Sequence, residues 1–201
     1  MERKRLEAFS DGVLAILITI MVLELTVPHG TDLASLRAVL PIFLGYVLSF
    51  VYLAIYWNNH HHMFAVTTRV NGAVLWANMH LLFWLSLVPF VTGWMGENHF
   101  ARVPTAIYGV VLLMAAIAYY ILQGRILALE GRESVLARAL GSDWKGKVSP
   151  VLYVLAIAGA FVRPSIAQAI YVLVALIWVV PDPRIERALT EAEGDAPSTP
   201  P

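Results

Sequence analysis

The chain has 201 residues, no net charge with histidine neutral, 59% hydrophobic and only 14% charged residues, and a mean hydropathy of +0.69. Soluble domains carry about 25% charged residues, and a chain this short cannot hide so much apolar surface in one water-soluble core, so an integral membrane protein is expected and a basic nucleic-acid surface is not. The absence of cysteine excludes disulfides, thiolate metal sites and cysteine nucleophiles.

Six apolar stretches are long enough, or nearly so, to cross a bilayer as helices. In chain order they are about 8–27, 33–57, 73–94, 104–123, 148–162 and 165–180. The basic start, Arg3-Lys4-Arg5, resembles a signal peptide, but no small-residue cleavage site follows it, so the first stretch is read as a retained helix. The first stretch stops at Pro28-His29-Gly30, and the fourth opens at Pro104, a favourable first-turn residue. The last two stretches are short and joined by Arg163-Pro164, so they read as two spans or as a re-entrant hairpin. Between the fourth and fifth, residues 125–146 mix charge with Ile126, Leu127, Leu129, Val135, Leu136 and Leu140, which predicts a helix extension or a surface-lying helix. The organisation expected is an all-α transmembrane domain over 1–190 and a disordered tail over 191–201, which is small, acidic and Pro-rich.

Lysine and arginine set the direction of insertion. The N-terminus, the second-to-third and fourth-to-fifth connections and the C-terminus hold Arg3, Lys4, Arg5, Arg69, Arg125, Arg132, Arg138, Lys145, Lys147, Arg184 and Arg187; the opposite side holds only Arg37, Arg102 and Arg163. An even number of spans with both termini cytoplasmic is expected, in a cell membrane. Trp57, Trp94 and Trp178 fall near span ends, as interfacial anchors do.

The first helix has two kinds of face. At about 100° per residue, Ile16, Ile20 and Leu23 form one stripe, with Thr19 at its edge and Phe9 and Gly12 extending it. Asp11 lies on roughly the opposite side. An intramembrane acid is costly and needs partners. The donors at its depth are Trp57, Asn78, His80 and one of His60, His61 and His62. Two readings stand on position alone: a polar knot clamping the first helix to the second and third, or an ordinary helix start with Ser10 or Asp11 as the N-cap.

The run "RLEAFSDGVLAILIT", with Arg5, Phe9, Ser10 and Asp11 in register, resembles the Arg-x-x-x-Phe-Ser-Asp signature of the transmembrane protein 175 family of potassium channels, in its short prokaryotic form. "YWNNHHHMF" and "LLFWLSLVPF" further on are similar to that family's second and third helices, so the resemblance covers about residues 5–90. It implies a six-helix subunit, a homotetramer, and helix one lining a central pore for potassium ions. By the same resemblance Ile16 forms the narrowest ring, Ile20 and Leu23 form further rings, and Thr19 stands near the ions. Arg5, Phe9, Ser10 and Asp11 then brace the helix together with Trp57, Asn78 and His80.

Such a pore would work without the carbonyl-lined loops of the usual potassium filter, for which the sequence has no counterpart. An aliphatic ring gates by dewetting and favours the ion that sheds water most easily, so modest preference for potassium over sodium is expected. Glu24 and Asp32 are candidates for concentrating cations at the outer mouth. No cofactor, resident metal or enzymatic activity is expected: the histidines lack a metal-ligand spacing, and Ser10-Asp11 lacks any oxyanion feature. The competing reading is a small proton-coupled secondary transporter using Asp11 and His80.

Overall fold

The computed structural model describes residues 2–131, 134 and 144–179. Every regular element among them is helical: α1 (Arg3–Leu23), α2 (Leu33–Ala65), α3 (Gly72–Ser86), α4 (Val88–Glu97), α5 (Arg102–Glu130), α6 (Trp144–Val162) and α7 (Pro164–Val179). Five stretches are long and apolar enough to cross a membrane, namely α1, α2, α3 with α4, α5 and α6. α7 has 16 residues, about 24 Å at the usual helical rise, and is shorter than a typical hydrocarbon core.

The element bounds depart from those expected where local chemistry intervenes. α1 begins at Arg3, not near residue 8, because its first turn lies beyond the apolar run. Ser10 and Asp11 are therefore inside the helix, and the N-cap is Glu2, which makes no side-chain cap. The third stretch is two helices. Pro89 sits in the first turn of α4, where its missing N–H cannot continue the α3 ladder, and the chain breaks at Leu87. α2 and α5 run on past their apolar segments, to Ala65 and Glu130, so Ile126, Leu127 and Leu129 continue α5. Expectations for Val135, Leu136, Leu140, Arg132, Arg138, Arg184, Arg187 and the 191–201 tail lie outside the described residues.

α5 is the centre of the bundle and packs on α3, α4, α6 and α7, while α1 lies against α2, α3 and α4. Small residues let these helices approach closely, as membrane interfaces require. Ala115, Ala118, Ala156, Ala160 and Ala167 are fully buried. Gly109 is required: a Cβ there would meet the Tyr171 hydroxyl and lie 2.9 Å from Ile157 Cγ1. Buried hydroxyls supply the polar glue. Ser49 shares hydrogen bonds with Thr92 at 2.6 Å and Tyr108 at 3.0 Å, and Tyr52 donates to the Tyr171 carbonyl at 2.6 Å. Tyr171 in turn donates to the Thr105 carbonyl at 3.0 Å.

Candidate functional site

The bundle holds α1 by one face only. Leu6, Ser10, Leu14, Leu17 and Met21 are buried. Ile16, Ile20 and Leu23 are 59%, 41% and 77% exposed, and Phe9, at 48%, continues the stripe. A Cβ on Gly12 would meet nothing within 4 Å, so the stripe is bare over its whole length. Thr19 is exposed as well, and its hydroxyl donates to the Ala15 carbonyl at 2.9 Å. That bond commits the hydroxyl hydrogen to the backbone, so what the oxygen offers outward is a lone pair.

The buried face is fixed by a connected polar set. Ser10 Oγ donates to the Leu6 carbonyl at 2.9 Å and accepts from Asn78 Nδ2 at 3.0 Å. Asn78 Oδ1 is 2.8 Å from His60 Nε2. Because the Asn78 nitrogen is occupied with Ser10, its oxygen accepts and His60 Nε2 carries the proton. Ser10, Asn78 and His60 are all essentially inaccessible, and these bonds replace water at each of them except at His60 Nδ1, which is buried without a partner among the described residues. Asp11, half-buried, accepts from the Trp57 indole at 3.0 Å. Trp57 also stacks on His61, with ring centroids 5.9 Å apart.

Several expected partners sit elsewhere. The His80 ring accepts from Trp84, one turn along the same helix, at 3.0 Å. His80 is thus not a partner of Ser10 or Asp11: the i, i+4 neighbour captures it. Arg5 is exposed, and its side chain makes no hydrogen bond or ion pair among the described residues. Arg3, counted in the sequence only for its charge, and Glu7, which the sequence reading did not single out, tie α1 down instead. Arg3 donates to the Ala65 and Thr67 carbonyls at 3.1 and 3.0 Å, closing the end of α2, and Glu7 pairs with His61 at 3.2 Å. Their signal was spacing: Arg3, Glu7 and Ser10 recur at helical intervals along one side of α1. Of the three adjacent histidines, His60 joins the Ser10 set, His61 reaches Glu7, and His62 lies beside His61, with ring centroids 5.8 Å apart.

At the other end, Glu24 follows the last turn of α1 and lies against Gly93. Burial and, secondarily, the Glu97 charge raise its carboxyl pKa. Asp32 caps α2 by accepting from the Ser35 N–H at 3.1 Å, and that bond lowers its pKa. No group of three metal-ligating side chains occurs among the described residues.

The family model described as endosomal/lysosomal potassium channel TMEM175 matches residues 5–89. A protein named as a potassium channel in Chryseobacterium sp. strain P1-3 is 58% identical over 191 residues, covering 95% of this chain and all of that one. One so named in Streptomyces collinus is 32% identical over 209 residues, covering 93% and 98%. Among solved structures, a lysosomal potassium-selective channel TMEM175 homolog from Chamaesiphon minutus superposes with a TM-score of 0.77 at 28% identity, covering 90% of this chain and 97% of that one. The Phe-Ser-Asp helix, its partners on α2 and α3, and relatives matched end to end lead to one assignment: the chain belongs to the TMEM175 family.

Proposed function

We propose that the protein is the subunit of a potassium channel, with four copies arranged so that their α1 helices line a central pore. The observation that carries this is the pairing of two faces on one helix: an exposed Ile16–Ile20–Leu23 stripe, and a reverse side locked by buried hydrogen bonds. A stripe this bare on a helix this firmly held fits a surface completed by further copies of the chain. The names of the bacterial relatives support potassium as the permeant ion.

Ile16, Ile20 and Leu23 then form stacked aliphatic rings. Such rings give ions no ligands and close by expelling water. When the rings part slightly, the more weakly hydrated potassium passes more readily than sodium, and the Thr19 oxygens return part of the lost hydration. Selectivity is accordingly modest. Ser10 and Asp11 touch no ion; they set the rotation of α1. The asymmetry of Lys and Arg supports a plasma-membrane orientation with the Arg3 end cytoplasmic. The transporter reading loses its relay, because Asp11 is held by Trp57 and His80 by Trp84.

The test is ion flux from liposomes holding the purified protein, under opposed potassium and sodium gradients. Passive potassium flux is expected at channel rates. Ile16→Asn is expected to leave assembly intact and reduce the preference for potassium. Slow, saturating flux coupled to a second solute would overturn the reading.

A further inference from the structure

Where α1 begins, it meets the short connection between α2 and α3, and the tip of α5 meets the same connection. α5 ends at Glu130 because Gly131 follows at φ 94°, a conformation that turns the chain off the helix. The Glu130 carboxylate is held by several donors. Its Oε1 accepts from the consecutive Thr68 and Arg69 N–H groups at 2.8 and 3.0 Å, and the Thr68 hydroxyl lies 3.1 Å from Oε1 and 2.9 Å from Oε2. Successive backbone N–H groups aimed at one point form a cup for an anion, and bonds to a charged acceptor are stronger than neutral ones. Arg69 returns the contact by donating to the Leu129 carbonyl at 3.1 Å, at the negative end of the α5 dipole.

One peptide group carries this contact onward to α1. The N–H of Thr68 and the carbonyl of Thr67 belong to the same planar unit. Its N–H faces the Glu130 carboxylate at 2.8 Å, and its oxygen accepts from the Arg3 guanidinium at 3.0 Å. An anion at the positive pole of that unit and a cation at its negative pole polarise it in the same sense, so each bond strengthens the other. Because the unit is rigid, turning it away from one partner misaims it at the other. A second Arg3 bond, to the Ala65 carbonyl at 3.1 Å, adds to the hold, and Thr67 is fully buried with its hydroxyl donating to the Met63 carbonyl at 2.8 Å. Arg3 lies seven residues before Ser10, about 10 Å along the helix axis. α1 is thus held at two levels. A helix held at Ser10 alone can pivot there; one held at Arg3 as well keeps its tilt.

We propose that Glu130 is a positioning residue for permeation. By orienting the Thr67–Thr68 peptide it fixes Arg3, and through Arg3 it fixes the tilt of α1 and the width of the Ile16 ring. This rests on the reading that α1 lines the pore. Slack in the linkage widens the ring and lowers the preference for potassium.

The cysteine-free chain allows a nitroxide label at Lys4→Cys, an exposed position in the first turn of α1, with Leu176→Cys on α7 as the control. In the full-length protein in liposomes, Glu130→Ala and Arg3→Ala are each expected to raise the mobility of the label at position 4 and to leave that at position 176 unchanged. In the unlabelled protein, each is expected to lower the potassium-over-sodium flux ratio about twofold or more, and the double variant no further than either single. Glu130→Gln, which keeps an acceptor oxygen and loses the charge, should fall between the unaltered protein and Glu130→Ala in both readouts, and it carries the test should Glu130→Ala fail to fold. A label at position 4 indifferent to the Glu130 variants, additive effects of Arg3→Ala and Glu130→Ala, or a mobilised label with an unchanged flux ratio would overturn the proposal. Absence of potassium flux from the unaltered protein would overturn the channel reading, and this proposal with it, whatever the label does.

Discussion

At the residue scale, α1 is held by a short chain of buried polar side chains, Ser10, Asn78 and His60. Asn78 sits between Ser10 and His60, so removing the Ser10 hydroxyl strands an amide donor in an environment without water. Ser10→Ala should lower stability by about 1–3 kcal/mol, the cost of an unsatisfied buried group. Ser10→Ala combined with Asn78→Leu should cost less than the sum of the singles, because the second change removes the stranded donor. Chemical unfolding in detergent micelles measures both. Glu24 gives a pH signature. Its pKa is raised in the folded chain, so the native state holds that proton more tightly than the unfolded state does. Stability should therefore fall as pH rises from the ordinary value of 4.5 through the raised value, and the native form should be favoured below that window. Glu24→Gln should flatten the slope, seen as thermal midpoints that converge across that interval.

At the scale of elements, helix contacts are set by what glycine leaves out. A Cβ at position 96 would lie 2.8 Å from the Ile42 backbone, which no rotamer change relieves, so Gly96→Ala should force α2 and α4 apart at a cost of about 1–3 kcal/mol. At position 109 the obstacle is the tip of Tyr171, a side chain. Gly109→Ala should thus be destabilising alone and partly rescued by Tyr171→Phe, a non-additivity that a double-mutant cycle of thermal unfolding reads directly. The elements also show where sequence reasoning reaches its limit. Apolar runs mark spans because hydrocarbon thickness demands them, but helices end where caps and prolines dictate. α1 therefore starts in the charged segment, and α3 and α4 part near Pro89 inside one apolar run. Depth was legible in the polar set: Trp57 and Asn78 sit level with Ser10 and Asp11, and in the structure they touch them. Rotation was not. His80 shares that depth yet turns to Trp84, and nothing in the order of His60, His61 and His62 says which ring points inward.

At the scale of the whole molecule, the chain leaves the Ile16–Ile20–Leu23 stripe of α1 exposed. In the proposed tetramer that stripe would line the pore, and the buried hydrogen bonds behind it would keep Ile16 from rotating away. The chain contains no cysteine, so a single cysteine at Ile16 is a clean reporter. The most direct measurement is potassium flux from liposomes carrying Ile16→Cys, before and after a charged, membrane-impermeant thiol reagent. Leu176→Cys, at an exposed site on α7, serves as the outer-surface control. The account predicts that modification at position 16 changes conductance severely and that modification at position 176 does not. Flux unaltered by a position 16 that reacts fully, or sensitive only to position 176, would contradict it.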